Sequence, residues 1–211
     1  CNDLFVDSSA EKALTRTWNV FTDRREGMEE MRYQCKMLIM RAALSSELNV
    51  LATQLSRIAE ADTHTRDYTL NSLRRALAEV VACFPVYRTY VSDEGASDKD
   101  ADYVKWAVGV AKKRSQAADT SVFEFLLEVL LTTIKEGKAQ PYREEVIAFA
   151  MKFQQYSAPV MAKGMEDTAF YRYNRLVSLN EVGGEPDRFG ISPAMFHHAN
   201  QLRLQQWPHA M

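Results

Sequence analysis

Between residues 161 and 186 the sequence MAKGMEDTAFYRYNRLVSLNEVGGEP crowds charged side chains among aromatic rings. Aromatic rings bury the apolar faces of sugars, and charged or amide groups make directional hydrogen bonds to hydroxyls. The pattern therefore indicates a surface that contacts a sugar or another polyol. The candidate contact residues are Lys163, Glu166, Asp167, Phe170, Tyr171, Arg172, Tyr173 and Asn174.

The same cluster also has a purely structural interpretation. Glu166 or Asp167 would pair with Arg172 or Arg175 and fix a loop onto its own domain. A hinge between two domains is a further use of such a charged segment. Residue types and spacing alone leave these alternatives open.

Other catalytic and metal-binding patterns are missing from the sequence. It contains no GxGxxG, P-loop, GxSxG or HExxH motif. His197 and His198 are adjacent, so on a helix their rings point about 100° apart and cannot easily share one metal. Cys83 lies on the apolar side of a predicted helix, which favours a core thiol over a nucleophile. We therefore expect no cofactor and no metal.

The overall charge excludes two classes of partner. Lys and Arg number 26 and Asp and Glu number 28, for a net charge of -2. That balance gives no electrostatic footprint for nucleic acid or for an anionic membrane. The longest strongly apolar run, residues 123–134, contains Glu124 and Glu128 and is too short to span a bilayer. The three cysteines, Cys1, Cys35 and Cys83, are scattered and lack CxxC spacing, as reduced thiols of an intracellular protein do, and we expect a cytoplasmic protein.

The elements that would position the cluster are mainly helices. Neither glycine nor proline occurs between Gly27 and Pro85, which favours long helices. Residues 28–60 show a helical pattern, and residues 121–131 are apolar almost all round, as in a central buried helix. Up to residue 155 we expect six or seven helices and little sheet. One predicted helix carries a single apolar stripe of Leu44, Leu48, Leu51, Leu55 and Ile58.

The sequence changes character after residue 155. SAPVMAKG, residues 157–164, reads as a single strand ending at Gly164, and the charged aromatic cluster follows it directly. A last helix is expected after Ser192, with Pro193 at its first position. We therefore predict two parts: a bundle-like helical domain over residues 1–155, and residues 156–211 with a different architecture.

The cluster belongs to a longer pattern. MAKGMEDTAFYRYNRLVSLNEVGGEPDRFG resembles the signature of the maltooligosyl trehalose synthases, a family in the alpha-amylase superfamily (glycoside hydrolase family thirteen). The segments NDLFVD, SELNVLA, TRDYTLNSLRRAL, FPVYRTYV and FHHANQLRLQQWPHAM occur in the order found in that family. The resemblance therefore covers nearly the whole chain.

The resemblance implies a central piece of a larger enzyme. In this family the parent chain forms a (β/α)8 barrel, and residues 1–155 would be a helical insertion in it. Residues 156–211 would be a returning barrel segment with a substrate-facing loop. The parent isomerises the reducing-end α-1,4 bond of a maltooligosaccharide to an α,α-1,1 bond, so the implied partners are that substrate and the rest of the parent chain.

The resemblance also implies that these 211 residues are inactive alone, because the family's three catalytic carboxylates lie outside them. Surface that meets the barrel would then be exposed, and we expect a large apolar patch near residues 155–165. The alternative is a stand-alone helical domain that binds carbohydrate or a protein partner without catalysis.

Overall fold

The computed structural model describes residues 2–116, 120–133 and 139–209. Over these ranges the chain contains helices and no strand, apart from an isolated antiparallel bridge between Ser92 and Gly95. The predicted mainly helical fold class is confirmed. The α-helices are α1 (Glu11–Thr22), α2 (Met28–Ala42), α3 (Ser45–Glu60), α4 (Leu70–Cys83), α5 (Asp98–Arg114), α6 (Ser121–Leu130), α7 (Gln140–Met161), α8 (Phe170–Arg172) and α9 (Pro193–Gln206). A π-helical segment spans Ala162–Ala169, and short 3₁₀ turns span Asn2–Phe5, Ser8–Ala10 and Val177–Leu179.

The chain forms two compact units. The central unit comprises residues 32–168, and the terminal unit comprises residues 1–31 and 169–211. The sequence suggested a division at residue 155, between a helical insertion and a returning barrel segment of a longer parent chain. That division stays a prediction.

A hydrophobic core holds the central unit together. Helix α4 packs against α3 and α5, and α7 packs against α3 and α6. On α3 the predicted stripe is buried from Leu48 to Ile58, whereas Leu44 packs partly buried at its edge. Helix α6 is the heavily buried element that its composition predicts. Its buried residues are Val122, Phe123, Phe125, Leu126, Val129 and Leu130.

Helix boundaries follow the capping signals in the sequence. The hydroxyls of Thr69, Ser97 and Ser192 each accept a hydrogen bond from a backbone N–H in the first turn of α4, α5 or α9. Helix α4 ends before Pro85, and Phe84 is extended with ψ 125°, as the residue before a proline prefers. Helix α6 ends at Leu130. The sequence predicts that Gly137 stops this helix, and Gly137 lies outside the described residues.

The expected strand over residues 157–164 is wrong. Helix α7 runs to Met161 with Pro159 inside it, and the π-helical segment continues the chain to Ala169. Pro159 removes one backbone donor from the helix. The helix persists because its apolar side chains pack on the core: Val160 and Met161 are both buried. Burial thus outweighs a helix-breaking residue here.

The apolar patch expected near residues 155–165 is not found. Tyr156, Val160, Met161 and Met165 are all buried. Large exposed apolar side chains lie elsewhere in both units, and many are in the terminal unit, where no residue of α1 or α9 is buried. Those of the terminal unit include Phe5, Val20, Phe21, Val182, Met195, Leu202, Leu204 and Trp207.

One side-chain and one backbone hydrogen bond link distant parts of the terminal unit. Asn2 Nδ2 donates to Glu181 Oε1 at 2.6 Å, and Ile191 N donates to the carbonyl oxygen of Asp3 at 3.0 Å. In the described part of the chain, no helix has the length and apolar character needed to cross a membrane.

Candidate functional site

The eight predicted contact residues fall in both units. Lys163, Glu166 and Asp167 lie on the π-helical segment of the central unit. The five residues from Phe170 to Asn174 belong to the terminal unit, where helix α8 is followed by an extended stretch. Each set has its own surroundings.

The π-helical segment presents polar groups to solvent. Lys163 and Asp167 are exposed, and the side chains of these two residues make no hydrogen bond or ion pair within the described ranges. The Thr168 hydroxyl donates to the carbonyl oxygen of Lys163 at 2.8 Å, which helps to hold the wide turn. π-helical turns are rare in proteins, and those that occur often lie at functional sites. The geometry leaves an ammonium and a carboxylate free to bind hydroxyl groups.

Glu166 is partnered, unlike its two neighbours in the cluster. The Tyr87 hydroxyl donates a hydrogen bond to Glu166 Oε1. Burial, together with the hydrogen bond to Glu166 and the charge of that carboxylate, raises the pKa of Tyr87 to about 12. Tyr87 therefore stays a protonated donor. The sequence contained this residue in FPVYRTYV but gave no signal that it would reach Glu166.

The extended connector that carries Tyr87, residues 84–91, is fixed along helix α7. Ser157 Oγ donates to the carbonyl oxygen of Tyr87 at 2.9 Å. Gln154, which is buried, accepts from Val91 N at 2.6 Å and donates to the carbonyl oxygen of Val91 at 3.0 Å. The side chains of α7 thus replace the partners that a neighbouring strand would supply.

Lys36 fixes the other end of this connector. Its side chain is buried, and Nζ donates to the carbonyl oxygen of Phe84 at 2.7 Å. A Cβ atom on Gly164 would lie 2.8 Å from Lys36 Cγ, so the π-helical segment rests directly on this residue. Burial lowers the pKa of Lys36 to about 7, and the charge of Arg32 lowers it as well. Sequence reasoning missed Lys36, because a lysine inside a helix normally marks a solvated face.

The lowered pKa of Lys36 predicts a pH-dependent stability. The unfolded chain holds this proton up to its ordinary pKa near 10.4, so between about pH 7 and 10 the unfolded state binds more protons. The free energy of unfolding should therefore rise with pH across that window, by up to about 1.4 kcal/mol per pH unit from this group. We expect the free energy of unfolding of Lys36→Met to lack this increase with pH. Urea titrations followed by circular dichroism measure it.

The control for this experiment is Lys152→Met, on the exposed side of α7. It should keep the pH dependence of the wild-type chain. Equal slopes for Lys36→Met and the wild type between pH 7 and 9 would show that Lys36 is not buried as a neutral amine.

In the terminal unit, two of the five predicted contact residues are buried and not exposed to solvent. Phe170 and Tyr173 are buried, and the ring of Tyr173 meets Trp18 edge-on at 6.0 Å. Asn180 Nδ2 donates to the carbonyl oxygens of Phe170 and Tyr173, at 2.7 and 2.8 Å. These contacts give both residues a role in holding the segment, whatever else they bind.

The other three residues of this set face solvent. Tyr171 is 80% exposed, and Arg172 and Asn174 are exposed as well. None of their side chains makes a hydrogen bond or ion pair within the described part of the chain. An exposed aromatic ring can bind the apolar face of a sugar, and an exposed guanidinium and amide can bind its hydroxyls.

Arg175 carries the ion pairing that the structural interpretation expected, but with a distant partner. Its side chain is 6% exposed and lies 3.3 Å from Glu11 Oε1. It also donates to Thr15 Oγ1 at 3.0 Å and to the carbonyl oxygen of Pro186 at 2.9 Å. The guanidinium stacks over the Phe189 ring at 4.8 Å. Arg175 is thus a structural residue of the terminal unit.

Metal-binding geometry is not evident in the described ranges, which contain no group of three or more His, Cys, Asp or Glu side chains placed to hold an ion. Cys83 is buried in the core, as predicted. In each unit the exposed candidate residues carry hydrogen-bonding groups on packed segments, and such groups can bind a hydroxylated ligand.

Comparison with known proteins gives a consistent result. No family model matches the chain. Over 62 residues, 29% of its length, the chain is 55% identical to a maltooligosyl trehalose synthase of Mycobacterium tuberculosis, of which the match covers 8%. Its fold resembles the maltooligosyltrehalose synthase from Arthrobacter ramosus, with a TM-score of 0.77, 28% identity, and coverage of 98% of this chain and 23% of that one. A mutant of the same enzyme gives a TM-score of 0.78 and 29% identity, with the same coverage.

The resemblance seen in the sequence is therefore confirmed by both sequence and fold. The match extends over almost all of this chain, yet the chain spans less than a quarter of the length of these relatives.

Proposed function

We propose that this chain is a part of a maltooligosyl trehalose synthase, a glycoside hydrolase family thirteen isomerase that acts in the cytoplasm. The observation that supports this most strongly is the similarity over 98% of the chain to one segment of the Arthrobacter ramosus enzyme, at 29% identity and a TM-score of 0.78. The parent would convert the reducing-end α-1,4 bond of a maltooligosaccharide to an α,α-1,1 bond.

The chemistry of such a reaction defines what the segment must do. The parent would cleave the terminal bond through a covalent glycosyl-enzyme, as retaining glycosidases do. The released glucose then has to turn and attack through its own anomeric hydroxyl before water does. This requires groups that hold a free monosaccharide in a closed site.

We assign part of this glucose-holding role to the exposed polar residues of the cluster. Lys163 and Asp167 in the central unit, and Arg172 and Asn174 in the terminal unit, have side chains free to bind sugar hydroxyls. The ring of Tyr171 is exposed enough to pack on a sugar face. Glu166, Phe170 and Tyr173 have protein partners, and they would support the contact surface as well as belong to it.

The three catalytic carboxylates would be supplied by parts of the parent outside this chain. The chain alone is then a binding and positioning segment without activity. The rest of the parent would be its partner.

The test uses the full-length protein that contains this chain, with Lys163, Asp167 and Arg172 changed to alanine one at a time. Each variant is incubated with maltopentaose, and maltotriosyl trehalose is measured against free glucose. We expect the ratio of maltotriosyl trehalose to glucose to fall about tenfold for a residue that holds the glucose, since loss of a charged hydrogen bond is worth about 1.5 kcal/mol or more.

The matched control is Lys152→Ala, an exposed lysine on α7 away from the cluster. It should keep the product ratio of the wild type. Parent-level ratios and rates in all three cluster variants would show that the cluster does not hold the sugar. Absence of any maltotriosyl trehalose from the wild-type protein would refute the proposed activity itself.

A further inference from the structure

We infer that Tyr87 is a positioning residue for the proposed reaction, acting through the Glu166 carboxylate on the π-helical segment. The inference rests on the proposed function, because it assigns Glu166 to the sugar-holding surface. Tyr87 itself lies on the connector formed by residues 84–91, far from the cluster in sequence.

The backbone of Tyr87 is held on both sides. Upstream, Nζ of the buried Lys36 donates to the carbonyl oxygen of Phe84. Downstream, the side chain of Gln154 binds both the N–H and the carbonyl oxygen of Val91. At the centre, Ser157 Oγ binds the carbonyl oxygen of Tyr87.

All three side chains that hold the connector are buried, with exposures of 1% for Lys36, 3% for Gln154 and 2% for Ser157. Buried polar groups that are satisfied in this way rigidify the chain they bind. The connector therefore sets the direction of the Tyr87 side chain before any ligand arrives.

The direction matters because the phenol reaches Glu166. Its hydroxyl donates to one carboxylate oxygen and leaves the second oxygen available to accept. The Tyr87 pKa of about 12 keeps the donor protonated throughout the physiological range. A carboxylate held in this way needs no reorganisation to accept a sugar hydroxyl, which is the condition for effective preorganised binding.

Both partners are accessible from solvent. Tyr87 is 36% exposed, and Glu166 is half-buried. The pair therefore lies at the surface of the central unit, and Glu166 is on the same π-helical segment as Lys163 and Asp167. Within the described residues the side chains of Lys163 and Asp167 are free, whereas Tyr87 would fix the position of the Glu166 carboxylate.

The experiment compares Tyr87→Phe with Tyr90→Phe in the full-length protein. Tyr90 is a matched control, because it lies on the same connector, is 71% exposed, and its hydroxyl makes no hydrogen bond within the described residues. Both changes remove one hydroxyl and keep the ring. Maltopentaose is the substrate, and the measurements are kcat, KM, the ratio of maltotriosyl trehalose to glucose, and Tm.

We expect Tyr87→Phe to lower the product ratio about fivefold, at a Tm close to that of the wild type. A purely structural hydroxyl would move Tm and leave the ratio unchanged. Tyr90→Phe should match the wild type in every measurement. Hydrogen exchange of amides 162–169 should also be faster in Tyr87→Phe than in Tyr90→Phe.

Glu166→Gln separates this inference from the proposed function. If Glu166→Gln lowers the product ratio and Tyr87→Phe does not, the role of Tyr87 is overturned while the function stands. Indistinguishable ratios for Tyr87→Phe and Tyr90→Phe likewise overturn it. If the wild-type protein forms no maltotriosyl trehalose, the proposed function fails, and the positioning role of Tyr87 fails with it.

Discussion

Arg175→Ala is expected to destabilise the terminal unit by about 3 kcal/mol. Its guanidinium is buried, pairs with Glu11, and binds Thr15 and the carbonyl oxygen of Pro186. Removing one partner of such a network leaves buried acceptors unsatisfied, at roughly 1–3 kcal/mol each. Glu11 is 46% exposed and can be solvated, so the total should fall at the lower end of the 3–5 kcal/mol typical of a broken buried pair.

Hydrogen exchange followed by mass spectrometry can resolve this effect by segment. Amides of α1 and of residues 176–190 should exchange on the order of a hundredfold faster in Arg175→Ala, because 1.4 kcal/mol corresponds to a factor of ten. Arg175→Lys should recover only part of the protection, since one ammonium cannot reproduce the fork of a guanidinium.

Arg172→Ala is the matched control, because this arginine is exposed and lies one turn earlier in the chain. It should leave exchange in α1 at the wild-type rate. Equal effects of the two alanine substitutions would mean that the contacts of Arg175 do not stabilise the unit.

The helical part of the fold was predictable because its signals are local. The spacing of Leu48, Leu51, Leu55 and Ile58 places them on one face, and that face is buried. Serine or threonine caps, and a proline after α4, set the helix ends where the chain folds. Such signals depend only on residues within a turn or two.

The contacts that hold the candidate site depend on residues far apart, and no local pattern reveals them. Tyr87 and Glu166 are separated by 79 residues, and Glu11 and Arg175 by 164. The sequence singled out the acids and the arginines but could not choose among their partners. Residues 157–164 were taken as a strand ending at Gly164, whereas packing keeps the chain helical through Pro159 and Gly164.

The burial of Phe170 and Tyr173 illustrates the same limit. Their residue types suit sugar binding, but the same types suit packing, and sequence alone weighs the two equally. Within this short motif some side chains are packed and hold the segment, and others are exposed to solvent. A stable scaffold under exposed polar groups is what precise recognition of a small polyol requires.

Gly164→Val should destabilise the central unit by about 3 kcal/mol. An added Cβ would lie 2.8 Å from Cγ, 3.0 Å from Cα and 3.2 Å from N of Lys36. The Cγ atom belongs to a side chain that can shift, but the two backbone atoms belong to α2 and cannot move without moving the helix. Overpacking of this kind typically costs about 1–3 kcal/mol, and valine adds two further methyl groups.

Gly109 provides a control of opposite sign. It lies on the exposed side of α5, and a Cβ there would meet no atom within 4 Å. Gly109→Ala should therefore stabilise the chain by up to about 1 kcal/mol through helix propensity alone. Gly164→Ala gains the same propensity but meets the backbone of Lys36, so it should still lose stability. Urea titrations of the three variants at one pH measure these differences directly.

The close approach at Gly164 also links stability to the proposed function. The π-helical segment can carry Lys163, Glu166 and Asp167 at a fixed height above α2 only while residue 164 has no side chain. Gly164→Ala should therefore lower the product ratio of the full-length protein as well as its stability, although glycine has no side chain with which to bind sugar. If Gly164→Ala were as stable as the wild type, the segment would not rest on Lys36, and the support we describe for the cluster would be wrong.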